Sequence, residues 1–411
     1  MDKTTFYDIL MNKSAREIFS CTTSNQGVLG GCPLKRKSFM GFFLFFVLEL
    51  LLFLVFSLID FKTKYQKNLA AFSMFFIMFV FAAVRGSGDA DYYNYLWFAK
   101  DIGTDFSKVL NFSYPVEFSF RFASYLVNLL GISRQWVIAL MNFLSIAPVT
   151  YVVLKKSVNP FLSALIFLPV FLQFDMQTSR TATAIGLGLL AIYEASEKNR
   201  IRSLLTLILA ISFHKSAVIL IPFLLYLEID LSNITKCIIV FISLVVSVFS
   251  KVFFGIAANI FSRVGLARLA RKIVTYTFEG KFAYGMKLYD PRIIFFFLLF
   301  IVSIMYLSEK HFEDDRMAKA SVKGMVFGLC VMLVFRSSTA IAFRFSSYFA
   351  VLEMFYIPMM VKKLKYKDSL AAFLLILSVV VFLLPYALNI AISAPAYDFF
   401  FTNPMAIESL R

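Results

Sequence analysis

Long apolar runs separated by short polar connectors dominate the chain. Runs of helical, near-spanning length fall at about 40–60, 69–84, 134–154, 157–174, 180–196, 201–213, 216–228, 237–256, 291–307, 321–335, 344–361 and 369–388. A bilayer core of ~30 Å needs ~20 apolar residues per crossing helix. Strand-like alternation is absent, so helices are expected and not a barrel. The pattern predicts an all-α, polytopic integral membrane protein with about a dozen transmembrane helices. The runs 201–213 and 216–228 are short, and that hairpin need not cross the whole bilayer.

One segment breaks the pattern. Residues 116–131 carry Glu117, Arg121, Ser124 and Asn128 at helical spacing, a single polar stripe on an otherwise apolar helix. It reads as an amphipathic helix on the outer surface. The alternative is a short span with its stripe turned into the bundle. The choice sets topology, because only a surface helix leaves every basic connector on one side.

The chain is 60% hydrophobic and 16% charged, too apolar for a soluble domain of 411 residues. Its net charge of +16 is spread over connectors containing Lys62, Lys64, Lys67, Lys155, Lys156, Lys198, Arg200, Arg202, Lys310, Arg316, Lys319, Lys362, Lys363, Lys365 and Lys367. Short basic connectors mark the cytoplasmic side. Dispersed in this way, they form no soluble basic domain for nucleic acid. Residues 1–39 read as a polar tail, with Met40 an equally plausible start; residues 40–388 form the membrane domain and 389–411 a C-terminal tail. Two outward connectors are expected, 85–133 and 257–290. The second carries Arg263, Arg268, Arg271, Lys272, Lys281 and Lys287 with Tyr276, Tyr284 and Tyr289. Cys21, Cys32, Cys237 and Cys330 have no metal-ligand spacing.

Candidate chemistry gathers at the outward ends. Arg85, Arg180, Arg336 and Arg344 end or begin spans there. Singly, each could snorkel to lipid head groups; together they suit an anionic ligand, because a guanidinium binds phosphate through two parallel hydrogen bonds. The carboxylates Asp89, Asp91 and Glu117 stand near the same face and could serve as a base for a sugar hydroxyl, or be hydrated or paired with Arg85 or Arg121. Asp-Ala-Asp also has the spacing of some metal-holding triplets, but the expectation is no metal. Tyr92, Tyr93, Tyr95 and Trp97 fit an interfacial belt or a platform that stacks on sugar faces. His214 sits where two apolar runs meet and could be a base, a donor to a leaving phosphate, or a helix cap; His311 lies among acidic residues of a connector and reads as solvated.

Four blocks then occur in order: Arg85 with Asp-Tyr-Tyr-Asn-Tyr at 91–95, Glu117 and Phe120; Ser179-Arg180 with Ala184; Phe213-His214 with Ser216-Ala217; and Arg344-Phe-Ser-Ser-Tyr348. Together they resemble the EpsG-like branch of the Wzy-type polysaccharide polymerases over residues 40–360. That branch usually has Gly-Thr before the aspartate; Asp89-Ala90 stand there in this chain, which makes Asp91 the better match. The resemblance implies a bacterial inner-membrane glycosyltransferase, of GT-C-like architecture, with its site facing the periplasm. It would transfer a growing glycan from undecaprenyl pyrophosphate onto a lipid-linked repeat unit, building O-antigen or a related polysaccharide. Implied roles are pyrophosphate binding for Arg85, Arg180, Arg336 and Arg344, catalysis for Asp91, His214 and Glu117, and glycan contacts for Tyr92, Tyr93, Tyr95, Trp97 and Tyr348. No cofactor is expected; the partners are lipid-linked donor and acceptor glycans, membrane lipids and a chain-length regulator. The rivals are a lipid-linked glycan flippase, for which no internal repeat is visible, and an O-antigen ligase of similar chemistry.

Overall fold

The structure is a computed structural model that describes residues 40–86, 91–279, 283–306, 315–394 and 397–402. The expected N-terminal tail, Asp89, Lys281 and His311 lie outside the described residues. The described residues are helical almost throughout. In chain order the helices are α1 (Met40–Leu58), α2 (Lys64–Ala83), α3 (Tyr92–Ile102), α4 (Phe106–Leu110), α5 (Phe118–Leu129), α6 (Gln135–Lys156), α7 (Pro160–Val170) and α8 (Ser179–Ser196). They continue with α9 (Arg200–Phe213), α10 (Leu220–Leu227), α11 (Asn233–Val248), α12 (Ser250–Arg263), α13 (Ala267–Thr277) and α14 (Pro291–Tyr306). The last are α15 (Arg316–Val334), α16 (Thr339–Ala350), α17 (Glu353–Lys367), α18 (Ser369–Ser378) and α19 (Leu384–Ser393).

Five helical stretches among the described residues are long and apolar enough to cross a membrane: Gly41–Leu58, Lys64–Ala83, Gln135–Lys156, Arg316–Val334 and Ser369–Ser393. The number rises to seven if two bent pairs each count as one span. The expected run 237–256 is one such pair, α11 and α12, bent by 75°; the run 344–361 is the other, α16 and α17, bent by 51°. Polar residues stand at both bends: Ser250 and Lys251 follow Phe249, and Glu353 follows Leu352. The run expected to end at 388 continues to Ser393 through a π-helical turn at Val379–Leu383.

Helix α8 is the centre of the packing. Its sides are buried from Thr181 to Leu189, against α6, α9 and the turn after α9. Small residues make this possible: a Cβ on Gly186 would lie 2.2 Å from the Ser145 carbonyl oxygen of α6. A helix enclosed by protein needs less hydrophobicity than one facing lipid, which is why its Thr- and Gly-rich sequence is tolerated.

Helix α5 resolves the segment with the polar stripe. Its 12 residues span about 18 Å, too little for a ~30 Å core. Arg121 and Ser124 are buried, while Phe118, Phe122, Leu126 and Leu129 are exposed. The helix is therefore amphipathic with its polar stripe against the protein and its apolar face outward, combining features of the two sequence readings.

Two ends of the bundle are distinguishable by their contacts. At one, the basic connectors meet: Lys67 lies over the Phe161 ring, Lys156 pairs with Glu197 at 2.7 Å, Arg200 with Glu228 at 3.8 Å and Lys319 with Asp230 at 2.6 Å. Helices α6, α8 and α9 run from there to the other end, where Gln135, Arg180 and His214 stand. The connectors that carry Lys67, Lys156, Arg200 and Lys319 thus gather at one end of the described bundle.

Candidate functional site

At the end opposite the basic connectors, α8 begins with Ser179 and Arg180. Arg180 donates to Glu117 Oε2 at 2.6 Å, across 63 residues of sequence. Its guanidinium lies over the Tyr95 ring at 5.4 Å and the Phe120 ring at 5.9 Å. The Tyr95 hydroxyl reaches Asp91 Oδ2 at 3.4 Å. Asp91 is the N-cap residue of α3, but its side chain makes no capping hydrogen bond, which leaves the carboxylate available to other groups. Arg180, Glu117, Tyr95 and Asp91 therefore form one cluster of alternating charge around an aromatic ring.

A second cluster adjoins it. His214 follows α9 and caps the 3-10 turn Lys215–Ile219: the Ser216 backbone N–H donates to its Nδ1 at 3.3 Å, and Ser216 Oγ lies 2.6 Å from the same atom. Ser216 Oγ is also 2.9 Å from the Tyr348 hydroxyl of α16. An atom that accepts from a backbone N–H carries no proton, so the neutral imidazole holds its hydrogen on Nε2. The chain of hydrogen bonds then runs from Tyr348 to Ser216 to His214. Burial, followed by the positive charges of Arg344, Arg180, Lys272 and Lys215, holds His214 well below the usual imidazole range. The ring is therefore neutral, caps the turn through Nδ1 and presents Nε2–H as a donor.

Arg344 stands one turn before Tyr348, with its guanidinium 5.5 Å from the Tyr276 ring. It makes no ion pair with a carboxylate among the described residues. It lines a polar cavity of about 530 Å³ together with Gln173, Gln177, Tyr276, Tyr284 and Asn389. That volume is in the range of small-ligand sites. Amides, phenols and a guanidinium are the donors and acceptors a sugar or phosphate would use.

Other expected site residues stand apart from these groups. Arg85 is fully buried and donates to Ser179 Oγ at 2.6 Å. Its backbone is sealed by the C-terminal segment, where Gly86 N–H donates to the Asp398 carbonyl at 2.6 Å and Phe400 N–H to Val84 at 3.0 Å. Arg85 thus supports the start of α8 from below. Tyr92 is also buried, bonded to Gln135 Oε1 at 2.8 Å, while Gln135 Nε2 holds the Arg85 carbonyl at 2.9 Å. Tyr93 packs edge-on to Tyr92, and Trp97 is exposed on the opposite side of α3 from Tyr95. Arg336 anchors the second connector by donating to the Met286 carbonyl at 3.2 Å. Arg121, one of the alternative partners for the carboxylates, stands one turn from Glu117 and gives its hydrogen bonds to the backbone carbonyls of Lys108 and Asn111. Sequence reasoning missed Ser216, Gln135, Gln173 and Gln177. The first sits inside the His-x-Ser block and could have been read from it; the glutamines carry no local signal.

Described residues that are helical almost throughout, with several spanning-length apolar helices and charged groups gathered where helices end, fit a multi-pass membrane protein. The EpsG family model matches residues 68–402, and the chain belongs to the EpsG family, a family of Wzy-like polymerases. No curated relative and no solved structure matches the chain.

Proposed function

We propose that the chain is a glycosyltransferase of GT-C-like architecture that polymerises repeat units carried on undecaprenyl pyrophosphate, at the outer face of the bacterial inner membrane. Its product is O-antigen or a related surface polysaccharide. The observation that carries this reading is the convergence of the Arg180–Glu117 pair, the Tyr348–Ser216–His214 chain and Arg344 beside a polar cavity. Family membership supports the polymerase class, and the collected basic connectors support a cytoplasmic opposite end.

In this reading the donor's pyrophosphate approaches Arg344 and Arg180, which stabilise the negative charge as it leaves. Arg180 turns from Glu117 to the phosphate, and Glu117 is released from its ion pair. Glu117 or Asp91 accepts the proton of the acceptor hydroxyl, whose oxygen bonds to the anomeric carbon of the donor as the carbon–oxygen bond to pyrophosphate breaks. His214 donates from Nε2 to a phosphate or sugar oxygen. Tyr95 and the cavity amides orient the glycan. The pyrophosphate linkage supplies the free energy. Chain length in the cell would be set with a separate regulator.

The test is a gel of surface polysaccharide from a deletion strain complemented with wild type, Asp91→Asn, Glu117→Gln or Arg180→Ala, each checked for expression. A single repeat unit on the lipid core in the deletion strain, and failure of a variant to restore the ladder, is the expected result. Loss of even the single unit would point to the flippase, and long chains remaining on the carrier lipid would point to the ligase. An untouched ladder overturns the reading.

A further inference from the structure

The connector between α11 and α14 begins with a helical hairpin, α12 and α13. Helix α11 starts near the basic connectors, where Asn233 Nδ2 donates to the Ile304 carbonyl at 3.3 Å, and it packs against the α15 span. At Phe249 the chain bends by 75° into α12, so α12 runs across the direction of α11. Phe254 pins α12 at the site end of α15, its ring centre 5.7 Å from that of Phe335. Gly265, at φ 81°, then reverses the chain into α13, which packs back on α12. A Cβ on Gly265 would meet nothing within 4 Å, so the turn is open on that side.

The surface of this hairpin has two characters. One is apolar: Phe249, Val252, Phe253, Ile256 and Ile260 are exposed and recur at three- and four-residue spacing, one stripe along α12. Val264, Leu266 and Leu269 are exposed around the turn. The other is charge. Residues 250–277 carry Lys251, Arg263, Arg268, Arg271 and Lys272 and no Asp or Glu. Lys251, Arg263, Arg271 and Lys272 are exposed, and they make no ion pair with a carboxylate among the described residues. None of these four lines the polar cavity. A helix that lies in a membrane interface has this composition: its apolar face sinks to the top of the acyl chains while Lys and Arg stay level with the phosphates.

We propose that the α12–α13 hairpin lies in the membrane interface at the site end and docks on anionic phospholipid, with its apolar stripe among the upper acyl chains and Arg263 and Arg271 on headgroup phosphates. Charge selects the occupant. Cations unopposed by any carboxylate favour an anionic over a zwitterionic surface by about fivefold each, whereas the apolar stripe alone would not distinguish the two. The seat bears on the site as well: Tyr276 of α13 lines the polar cavity and stands 5.5 Å from Arg344, so lipid that holds the hairpin holds that wall. The proposal goes beyond the glycosyltransferase reading and stands whatever group the site transfers.

The test is photolabelling of the full-length protein in phosphatidylcholine nanodiscs that carry a trace of probe. The probe is phosphatidylglycerol with a diazirine near the top of one acyl chain, set against phosphatidylcholine with the same diazirine, and labelled residues are mapped by mass spectrometry. Labels on Ile256, Ile260 and Leu269 are read relative to those on Leu54 and Phe373, which are exposed on α1 and α18. The phosphatidylglycerol probe should be enriched on the hairpin, the phosphatidylcholine probe should not, and the enrichment should fall as salt is raised. Arg263→Gln and Arg271→Gln should each lower it about fivefold; Lys272 is left in place because its charge reaches His214. Lys365→Gln, in a basic connector, should leave it unchanged. Melting temperature checks folding, and the wild-type comparison of the two probes decides if a variant does not fold. Equal labelling by both probes, absence of hairpin labels, or displacement of the label by a trace of polyprenyl pyrophosphate, which would assign the cations to the ligand of the site, overturns the proposal. Labelling needs no turnover, so its outcome is separate from that of the polysaccharide ladder.

Discussion

Replacing Arg180 by lysine keeps the charge and removes the geometry. The guanidinium now makes a 2.6 Å charged hydrogen bond to Glu117, with side chains only 19% and 13% exposed, and stacks over two rings. A charge-assisted hydrogen bond contributes about 1.5–3 kcal/mol, and a partly desolvated cation–π contact roughly 0.5–2 kcal/mol. Lysine can keep one hydrogen bond but not a second parallel one, nor the planar stack. A loss of about 2–3 kcal/mol in the transition state corresponds to roughly 30- to 150-fold in rate at ~1.36 kcal/mol per tenfold. The assay is extension of a lipid-linked repeat unit by purified protein in nanodiscs, with melting temperature as the folding control. Glu117→Gln with Arg180→Ala should be strongly non-additive, because each single change breaks the same ion pair. A rate for Arg180→Lys within threefold of wild type, in folded protein, refutes the role given to the guanidinium.

Other predictions follow from the same geometry. His214→Gln should flatten the pH dependence of stability: imidazole is held below its ordinary range in the folded protein, so the unfolded chain binds the proton first and stability falls as pH drops below about 6.5; melts at pH 7.5 and 5.5 check it. Tyr348→Phe cuts the chain to Ser216 and should cost about 0.5–1.5 kcal/mol of stability, read as a lower melting temperature with a measurable loss of rate. Gly86→Ala would place a Cβ 2.5 Å from the Phe400 backbone and should displace the C-terminal segment, seen as faster proteolysis after residue 396 and about 1–3 kcal/mol of destabilisation. Lys323→Met removes the buried amine that binds the Leu227 and Ile229 carbonyls at 2.8 and 2.7 Å, leaving helix-end carbonyls unsatisfied and lowering the melting temperature without changing donor affinity.

The sequence by itself determined the helical class, because apolar runs of this length can satisfy their backbone in lipid only as helices. It also determined the grouping of basic connectors and the four blocks that mark the family. It named Arg180, Glu117, Tyr95, Asp91, His214, Tyr348 and Arg344 for the site, although nothing local pairs Arg180 with Glu117, which are 63 residues apart. Tertiary structure decided the rest. Arg85 and Arg336 share the charge and position of Arg180, yet one is buried under the C-terminal segment and the other holds a loop, since a side chain's partners are set by what folds against it. The inward turn of the α5 stripe depends on which neighbours cover it. The polar cavity that Arg344 lines draws Gln173, Tyr276, Tyr284, Arg344 and Asn389 together, and residues so distant in sequence are brought to one wall only by packing.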